Sequence, residues 1–273
     1  MSPAREWDAA SYDRIADPHA RWGGTVLERL PLAGDETVLD AGCGSGRVTE
    51  RLVERLPHGR VIALDGSPAM IAQAQARLER FDDRVSYLVA DLREPLPLGE
   101  PVDAILSTAT FHWLPDHAEL FGHFAAVLRP GGRLVAQCGG AGNIASVQAI
   151  LATLGDGWPG PWNFATPADT VERLTAAGFV DAEAWLQAEP TALEPGPPTE
   201  EFLRTVILGD HLARLPEAGR DAFVRAVAAR LPGPQIDYVR LNITARRAGN
   251  PRISWARGSG SSRSSRPGDP SGA

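Results

Sequence analysis

Asp40, Asp65 and Asp91 are the carboxylates whose spacing reads as chemistry, and the turn Gly42-Cys43-Gly44-Ser45-Gly46 lies just behind the first of them. Glycines in such a turn permit a tight reversal and let the backbone come close to a ligand, with the next helix N-terminus aimed at it. A dinucleotide site of the G-x-G-x-x-G type wants its third glycine at position 47, where this chain has Arg47. An acid two residues before the first glycine is awkward for a pyrophosphate and suits a cationic ligand carrying an ammonium group and a sulfonium. Asp65 stands where an acid bonds both hydroxyls of a ribose at the carboxyl edge of a sheet. Asp91, in Val89-Ala90-Asp91-Leu92, can accept an adenine amino proton while the Leu92 backbone addresses the ring. Each acid alone is more often a strand-end cap or a solvated turn residue, but three at successive strand ends behind a glycine loop point to a ligand site.

Positioning them requires a sheet. From Glu36 to Gly139 short β-rich runs alternate with helical patterns, which predicts a parallel, doubly wound α/β sheet. The strand runs are Thr37 to Ala41, Arg60 to Asp65, Val85 to Ala90, Val102 to Ser107 and Arg133 to Cys138, apolar enough to be buried on both faces. Between them Arg47 to Leu56, Pro68 to Arg80 and His117 to Leu128 read as helices. Ser67 and Asp116 serve as N-caps, and Arg129-Pro130-Gly131-Gly132 as a stop and turn. After Cys138 the pattern loosens into Gly-rich and aromatic loops around Trp158 and Trp162. Then come a helix from about Thr166 to Ala177, a strand from about Phe179 to Leu186, helical patterns over Thr199 to Leu208 and Pro216 to Leu231, and a strand from Tyr238 to Ala245.

The segments Val38 to Arg47, Val61 to Met70, Val89 to Asp91, Asp103 to Thr108 and Leu128 to Leu134 together resemble the class I S-adenosylmethionine-dependent methyltransferases over the middle of the chain. The resemblance implies seven strands with the last antiparallel, and a helical cap between the sixth and seventh. It implies that Asp40, Gly42, Cys43, Gly44 and Gly46 hold the methionine part of S-adenosylmethionine, and Asp65 with Gly66 the ribose. Ser67 to Met70 would face the adenine and Asp91 with Leu92 its edge, with Ser107 and Tyr12 completing the set. Trp7 to Tyr12 followed by Trp22, Phe111 to His117, Leu215 to Phe223 and Leu241 to Arg247 are similar to a narrower group, the trans-aconitate 2-methyltransferase-like enzymes. That likeness implies methyl transfer to the carboxylate of a small organic acid. A carboxylate is already a nucleophile, so proximity and orientation suffice.

Trp22, His112, Trp113, Trp158 and Trp162 are the candidate substrate pocket, and His112 is the candidate base if the acceptor is a hydroxyl. Arg21, Arg47 and Arg240 are equivalent candidates for anchoring a substrate carboxylate. A metal site from His112, Asp116, His117 and His123 is not expected, since Asp116 caps a helix and the two later histidines fall on a helix that looks solvated. The alternatives are O- or N-methylation of a secondary metabolite, a cofactor-binding partner protein without catalysis, and a nicotinamide oxidoreductase.

The whole chain fits this frame. Its 273 residues suit a single methyltransferase domain over 1–247, with N-terminal helices in 1–30, a cofactor-binding core in 31–140 and cap helices with the last strands in 141–247. A Gly, Ser, Pro and Arg-rich stretch over 248–273 reads as a disordered tail. A formal net charge of -7 argues against nucleic acid, and no run has the length and apolarity of a membrane span. Two cysteines and an acidic N-terminus without an apolar core suit a cytoplasmic enzyme, monomeric or homodimeric, with a small-molecule substrate.

Overall fold

The computed structural model describes residues 17–81, 83–154 and 156–249, with side chains from Trp22 onward. Tyr12 and the stretch from 250 onward lie outside those residues, as does the first of the two expected N-terminal helices. The second is α1, Asp17–Glu28. The sheet strands are β1 (Thr37–Ala41), β2 (Arg60–Asp65), β3 (Val85–Val89), β4 (Val102–Thr108), β5 (Leu128–Gly139), β6 (Phe179–Ala188) and β7 (Val239–Arg247). They lie in the order β3-β2-β1-β4-β5-β7-β6. The first five are parallel, whereas β7 is antiparallel to both β5 and β6. The expected doubly wound, mostly parallel seven-stranded sheet with an antiparallel last strand is therefore present.

Successive side chains of a strand point to opposite faces, and the apolar strands build a core on each. Leu39 and Ile105 enter one cluster, while their neighbours Val38, Ala104 and Leu106 enter the other. The second face is covered by α2 (Arg47–Glu54) and α3 (Pro68–Leu78), through Leu52, Val53, Ile71 and Leu78. The first face is covered by α4 (His117–Val127), which sets Leu120, Phe121 and Phe124 against it. Each such side chain contributes on the order of 2 kcal/mol when fully buried.

A third cluster belongs to the cap. It joins α5 (Ala145–Leu151), α7 (Pro197–Phe202), a π-helical turn over Leu203–Ile207, α8 (Gly209–Ala213) and α9 (Glu217–Ala228). Helix α6 (Pro167–Ala176) instead leads into β6. The expected helix over Thr199 to Leu208 is thus not one α-helix: the Leu208 N–H reaches the Leu203 carbonyl at 2.8 Å. Arg129 to Gly132 also differs from expectation, being an irregularity inside β5 between the Val102–Leu128 and Ala104–Arg133 pairs. The helix bearing the later histidines is not solvated along its length. His117 is 2% exposed, and its Nε2 donates to the Phe111 carbonyl at 2.8 Å. His117 packs on Phe121 of its own helix and on Phe111 of the preceding 3₁₀ turn, which covers the face a solvated helix would expose. Among the described residues no helix is long and apolar enough to cross a membrane.

Candidate active site

The glycine loop starts where β1 ends. Gly42 and Cys43 both donate their N–H to the Leu64 carbonyl, at 2.8 and 2.9 Å, which folds the loop back over β2. At Gly42, φ is +79°, and a Cβ there would run into the Thr110 side chain. Gly44 has φ +55° and no heavy atom within 4 Å of where a Cβ would stand. The space beside it is open, and its positive φ is what favours glycine there. Gly46 packs against Ala74 and Leu78 and opens α2.

Asp40 and Asp65 lie against that loop. Asp40 is 1% exposed; its Oδ2 accepts from the Thr49 hydroxyl at 2.7 Å, while its buried Oδ1 has no partner. Burial pushes its carboxyl up to about 7, with the Thr49 hydrogen bond opposing and nearby Asp65 reinforcing the shift. Asp65, at the end of β2, accepts from Gly44 N–H at 2.9 Å through Oδ2 and from Ser67 N–H at 2.9 Å through Oδ1. Burial raises its pKa against the pull of those amides and that of Gly66. Ser67 caps α3 by accepting from Met70 N–H at 3.3 Å, and Met70 is buried in the first turn. Cys43 is buried and its thiol pushed well up.

Two cofactor candidates are tied elsewhere. Asp91 is forked by Arg93, with Nη2 to Oδ2 at 2.5 Å, which holds its carboxyl below the usual range. Leu92 beside it is buried. Ser107 donates its hydroxyl to the Ala41 carbonyl at 2.6 Å, so it clamps β4 to β1. A buried orphan oxygen, a glycine turn with open space at Gly44 and acids at adjacent strand ends fit a ligand that brings a cation and a ribose.

Beside this cradle lies an open cavity. It begins at Ala109, which holds the unusual φ of +57° after β4, and continues to His112 and Trp113 on a short 3₁₀ turn. Trp162 and Phe164 stack nearly parallel, with ring centres 5.9 Å apart, and Phe164 also stacks on His112 at 6.0 Å. Ile144, Val206 and Ile207 supply the aliphatic wall, and Asn143, Tyr238 and Arg240 the polar groups. The Gly139 N–H donates to His112 Nδ1 at 3.3 Å. That bond assigns the ring proton to Nε2, leaving His112 a donor on its other side.

Of the three arginines read as equivalent, Arg240 is the one at the cavity. It is 2% exposed, with its Cζ 4.7 Å from the centre of the Trp22 ring. Arg47 opens α2 away from the cavity lining, and the Arg21 side chain is not among those described. Trp22 is buried behind Arg240 and Tyr238. Trp158 is packed on His211, with rings 4.7 Å apart, and does not line the cavity. Thr110, Asn143, Ile144, Phe164, Val206, Ile207 and Tyr238 escaped the sequence reading. Only Thr110 was findable there, as the residue facing the glycine loop from the strand-4 end.

A family model described as a methyltransferase domain matches residues 38–132. The chain is 33% identical to a trans-aconitate 2-methyltransferase from Azoarcus sp., over 86% of this chain and 94% of the relative. It is 37% identical to one from Methylobacterium nodulans, over 67% and 68%. Among solved structures, the Haemonchus contortus phosphoethanolamine N-methyltransferase 2, crystallised with phosphomonomethylethanolamine and S-adenosylhomocysteine, aligns with a TM-score of 0.59 at 20% identity, over 88% of this chain and 57% of that one. The geranyl diphosphate C-methyltransferase from Streptomyces coelicolor aligns at 0.54 and 20%, over 84% and 76%. Those likenesses carry the fold, since one fold hosts many acceptors. The chain belongs to the S-adenosylmethionine-dependent methyltransferases, in the group similar to trans-aconitate 2-methyltransferase.

Proposed function

We propose that this chain transfers the methyl group of S-adenosylmethionine to the carboxylate of a small organic acid, giving a methyl ester. The observation that carries the reading is Arg240, a buried guanidinium lining the cavity beside the glycine loop. A guanidinium in that position binds a carboxylate as a two-pronged donor and orients it.

In this reading Asp40 and the Gly42–Gly46 backbone hold the methionine end, Asp65 the ribose hydroxyls, Ser67 to Met70 the adenine face and Asp91 with Leu92 its edge, the Asp91 carboxylate accepting from the adenine amino group with the lone pairs that the Arg93 fork leaves. The orphaned Asp40 Oδ1 supports the first assignment, because a ligand ammonium would supply its missing partner. The bound sulfonium supplies an electrophilic methyl group. The chain itself aligns the acceptor: Arg240 and the Nε2–H of His112 hold the carboxylate, and the rings of Trp113, Trp162 and Phe164 exclude water from it. Holding both reactants in line accounts for much of the barrier reduction without proton transfer.

Methylation of a hydroxyl would need a base, and His112 is ill suited because its Nδ1 already accepts from Gly139. The test is transfer of radiolabelled methyl to a panel of organic acids, followed by mild alkali. Label released as methanol supports the ester, whereas alkali-stable label overturns it. His112→Ala should keep most of kcat.

A further inference from the structure

We propose that Asn143 selects the acceptor, its side-chain Nδ2 donating a hydrogen bond to the carboxylate held in the cavity. The proposal rests on the carboxylate reading above and adds a specificity-determining residue to it. Asn143 lines the cavity and is 3% exposed. An asparagine amide carries an acceptor at one end and two donors at the other. Here the acceptor end is assigned, because Oδ1 accepts from the Val239 N–H at 2.9 Å. The other end is therefore the NH2 group, and it donates to none of the described residues. Unlike the sealed orphan atoms of Asp40 and His117, it keeps an accessible edge. An acceptor carboxylate supplies the missing partner.

The backbone around Asn143 is built to hold that donor in place. Gly139 has no side chain, and a Cβ there would stand 2.8 Å from Nδ2 and 2.8 Å from the Phe164 ring. The same glycine's N–H meets His112 Nδ1, so the Asn143 amide, His112 and Phe164 share one corner of the cavity. The next residue, Ile144, holds φ +50°, a left-handed conformation rare for a β-branched side chain. Its N–H donates to the Asp237 carbonyl at 3.1 Å. The Asp237 carboxylate accepts from the Ser146 N–H at 2.9 Å and the Ser146 hydroxyl at 2.6 Å. Strain of this kind persists only where surrounding contacts over-determine it, and it clusters at functional sites. Asn143 and the strained Ile144 both line the cavity. A donor without a protein acceptor discriminates between ligands. An oxygen lone pair satisfies it, whereas an ammonium or hydroxyl donor in that corner leaves it unpaired.

Asn143→Asp tests this at one atom. The retained oxygen still accepts from the Val239 N–H, while the NH2 group becomes an oxygen facing the acceptor's own charge. The assay is transfer of radiolabelled methyl to the panel of organic acids, scored by alkali lability, for wild type and variant between pH 6 and 9. The expected result at pH 8 is a kcat/KM for the best acid at least about 100-fold lower, carried mainly by KM. The thermal midpoint and the affinity for S-adenosylhomocysteine should stay near wild type. Protonating the introduced carboxyl restores a donor, so the ratio of wild type to variant should shrink to about tenfold or less at pH 6. The titratable groups around the position, His112, Asp237, Tyr238 and Arg240, are common to both proteins, so the ratio isolates residue 143. A residue that only ties down β7 would leave that ratio flat. If the aspartate variant does not fold, Asn143→Ala is read in its place and should raise the acid KM at least about tenfold at unchanged S-adenosylhomocysteine affinity. An acid KM within about threefold of wild type in a folded variant, or a ratio flat with pH, overturns the inference and leaves the carboxylate reading standing. Absence of alkali-labile transfer by the wild type overturns both.

Discussion

Replacing Asp40 by asparagine tests the cradle through two effects of opposite sign. The Asp40 carboxyl is fully buried and titrates at about 7 instead of 3.8, chiefly because burial disfavours its charge. In the ligand-free protein, the folded state therefore holds the proton more tightly than the unfolded chain. Its contribution to stability is intact below pH 4 and is lost as pH rises through about 7. A shift of roughly three units at about 1.4 kcal/mol each sets an upper figure of about 4 kcal/mol of destabilisation at pH 8. The asparagine side chain would mimic the protonated form, and its carbonyl oxygen can still accept from the Thr49 hydroxyl. Asp40→Asn should thus unfold in urea like the wild type at pH 5 and resist more denaturant at pH 8. Cofactor binding should move the other way. Losing a charge-assisted contact worth about 2 kcal/mol weakens affinity for S-adenosylmethionine roughly 30-fold at pH 8. Calorimetric titration should also show wild-type affinity falling below pH 7, where Asp40 takes up its proton. A variant less stable than wild type at pH 8, with unchanged affinity, would refute the assignment of Asp40 Oδ1 to the ligand's cation.

Three further outcomes follow from the same geometry. Gly42→Ala and Gly44→Ala both place a side chain at positive φ, for about 1–2 kcal/mol each. Gly42→Ala must also displace Thr110 and should lose clearly more stability, whereas Gly44→Ala should fold and yet bind S-adenosylhomocysteine at least about 100-fold more weakly, since its methyl group takes up the open space beside the loop where the ligand would lie. These are read by thermal melting and calorimetry. His112→Ala should raise KM about tenfold through a lost hydrogen bond, with no limb of the pH–rate profile removed; disappearance of a limb would restore His112 as a base. His117 is held neutral mainly by burial, its pKa lowered, so stability present above its unfolded value is lost as pH falls below it. His117→Gln keeps a donor for the Phe111 carbonyl and should flatten acid denaturation, measured by urea midpoints between pH 7 and 4.

The donor half of the site was legible because it is local. Asp40 and the glycine loop occupy one turn, and Asp65 ends the strand paired directly with β1, where Ala41 meets Leu64. Strand-end position and loop composition suffice to bring these residues together. Ser107 shows the limit of that logic, since its place at the end of β4 is right while its hydroxyl is spent on the Ala41 carbonyl. His117 shows another, because its burial depends on Phe111 from the preceding turn as well as on Phe121 of its own helix. The cap was less legible still. Helical periodicity found its segments but could not foresee that the turn at Leu203–Ile207 widens, which depends on packing against Ile144, Val147 and Val224.

The acceptor half illustrates why, and β7 carries the argument. Sequence offered Arg21, Arg47 and Arg240 as interchangeable cations; pairing selects among them. In the antiparallel register of β5 and β7, Arg240 lies opposite Gly139, the residue whose N–H orients His112. Asn242, two residues on and thus on the same face, binds Gln137 at 2.7 Å and also Arg29 of the N-terminal segment, so it fixes that register from both sides. Asn143 adds a third constraint by accepting from the Val239 N–H at 2.9 Å, where β7 begins. A slip of one residue would send Arg240 to the opposite face, among Phe121 and Phe124, and present Leu241 to the cavity. The anchor is therefore specified by polar contacts that lie outside the pocket. Asn242→Leu should lower acid affinity without touching any lining residue, while S-adenosylhomocysteine affinity, set at the ends of β1 and β2, stays near wild type.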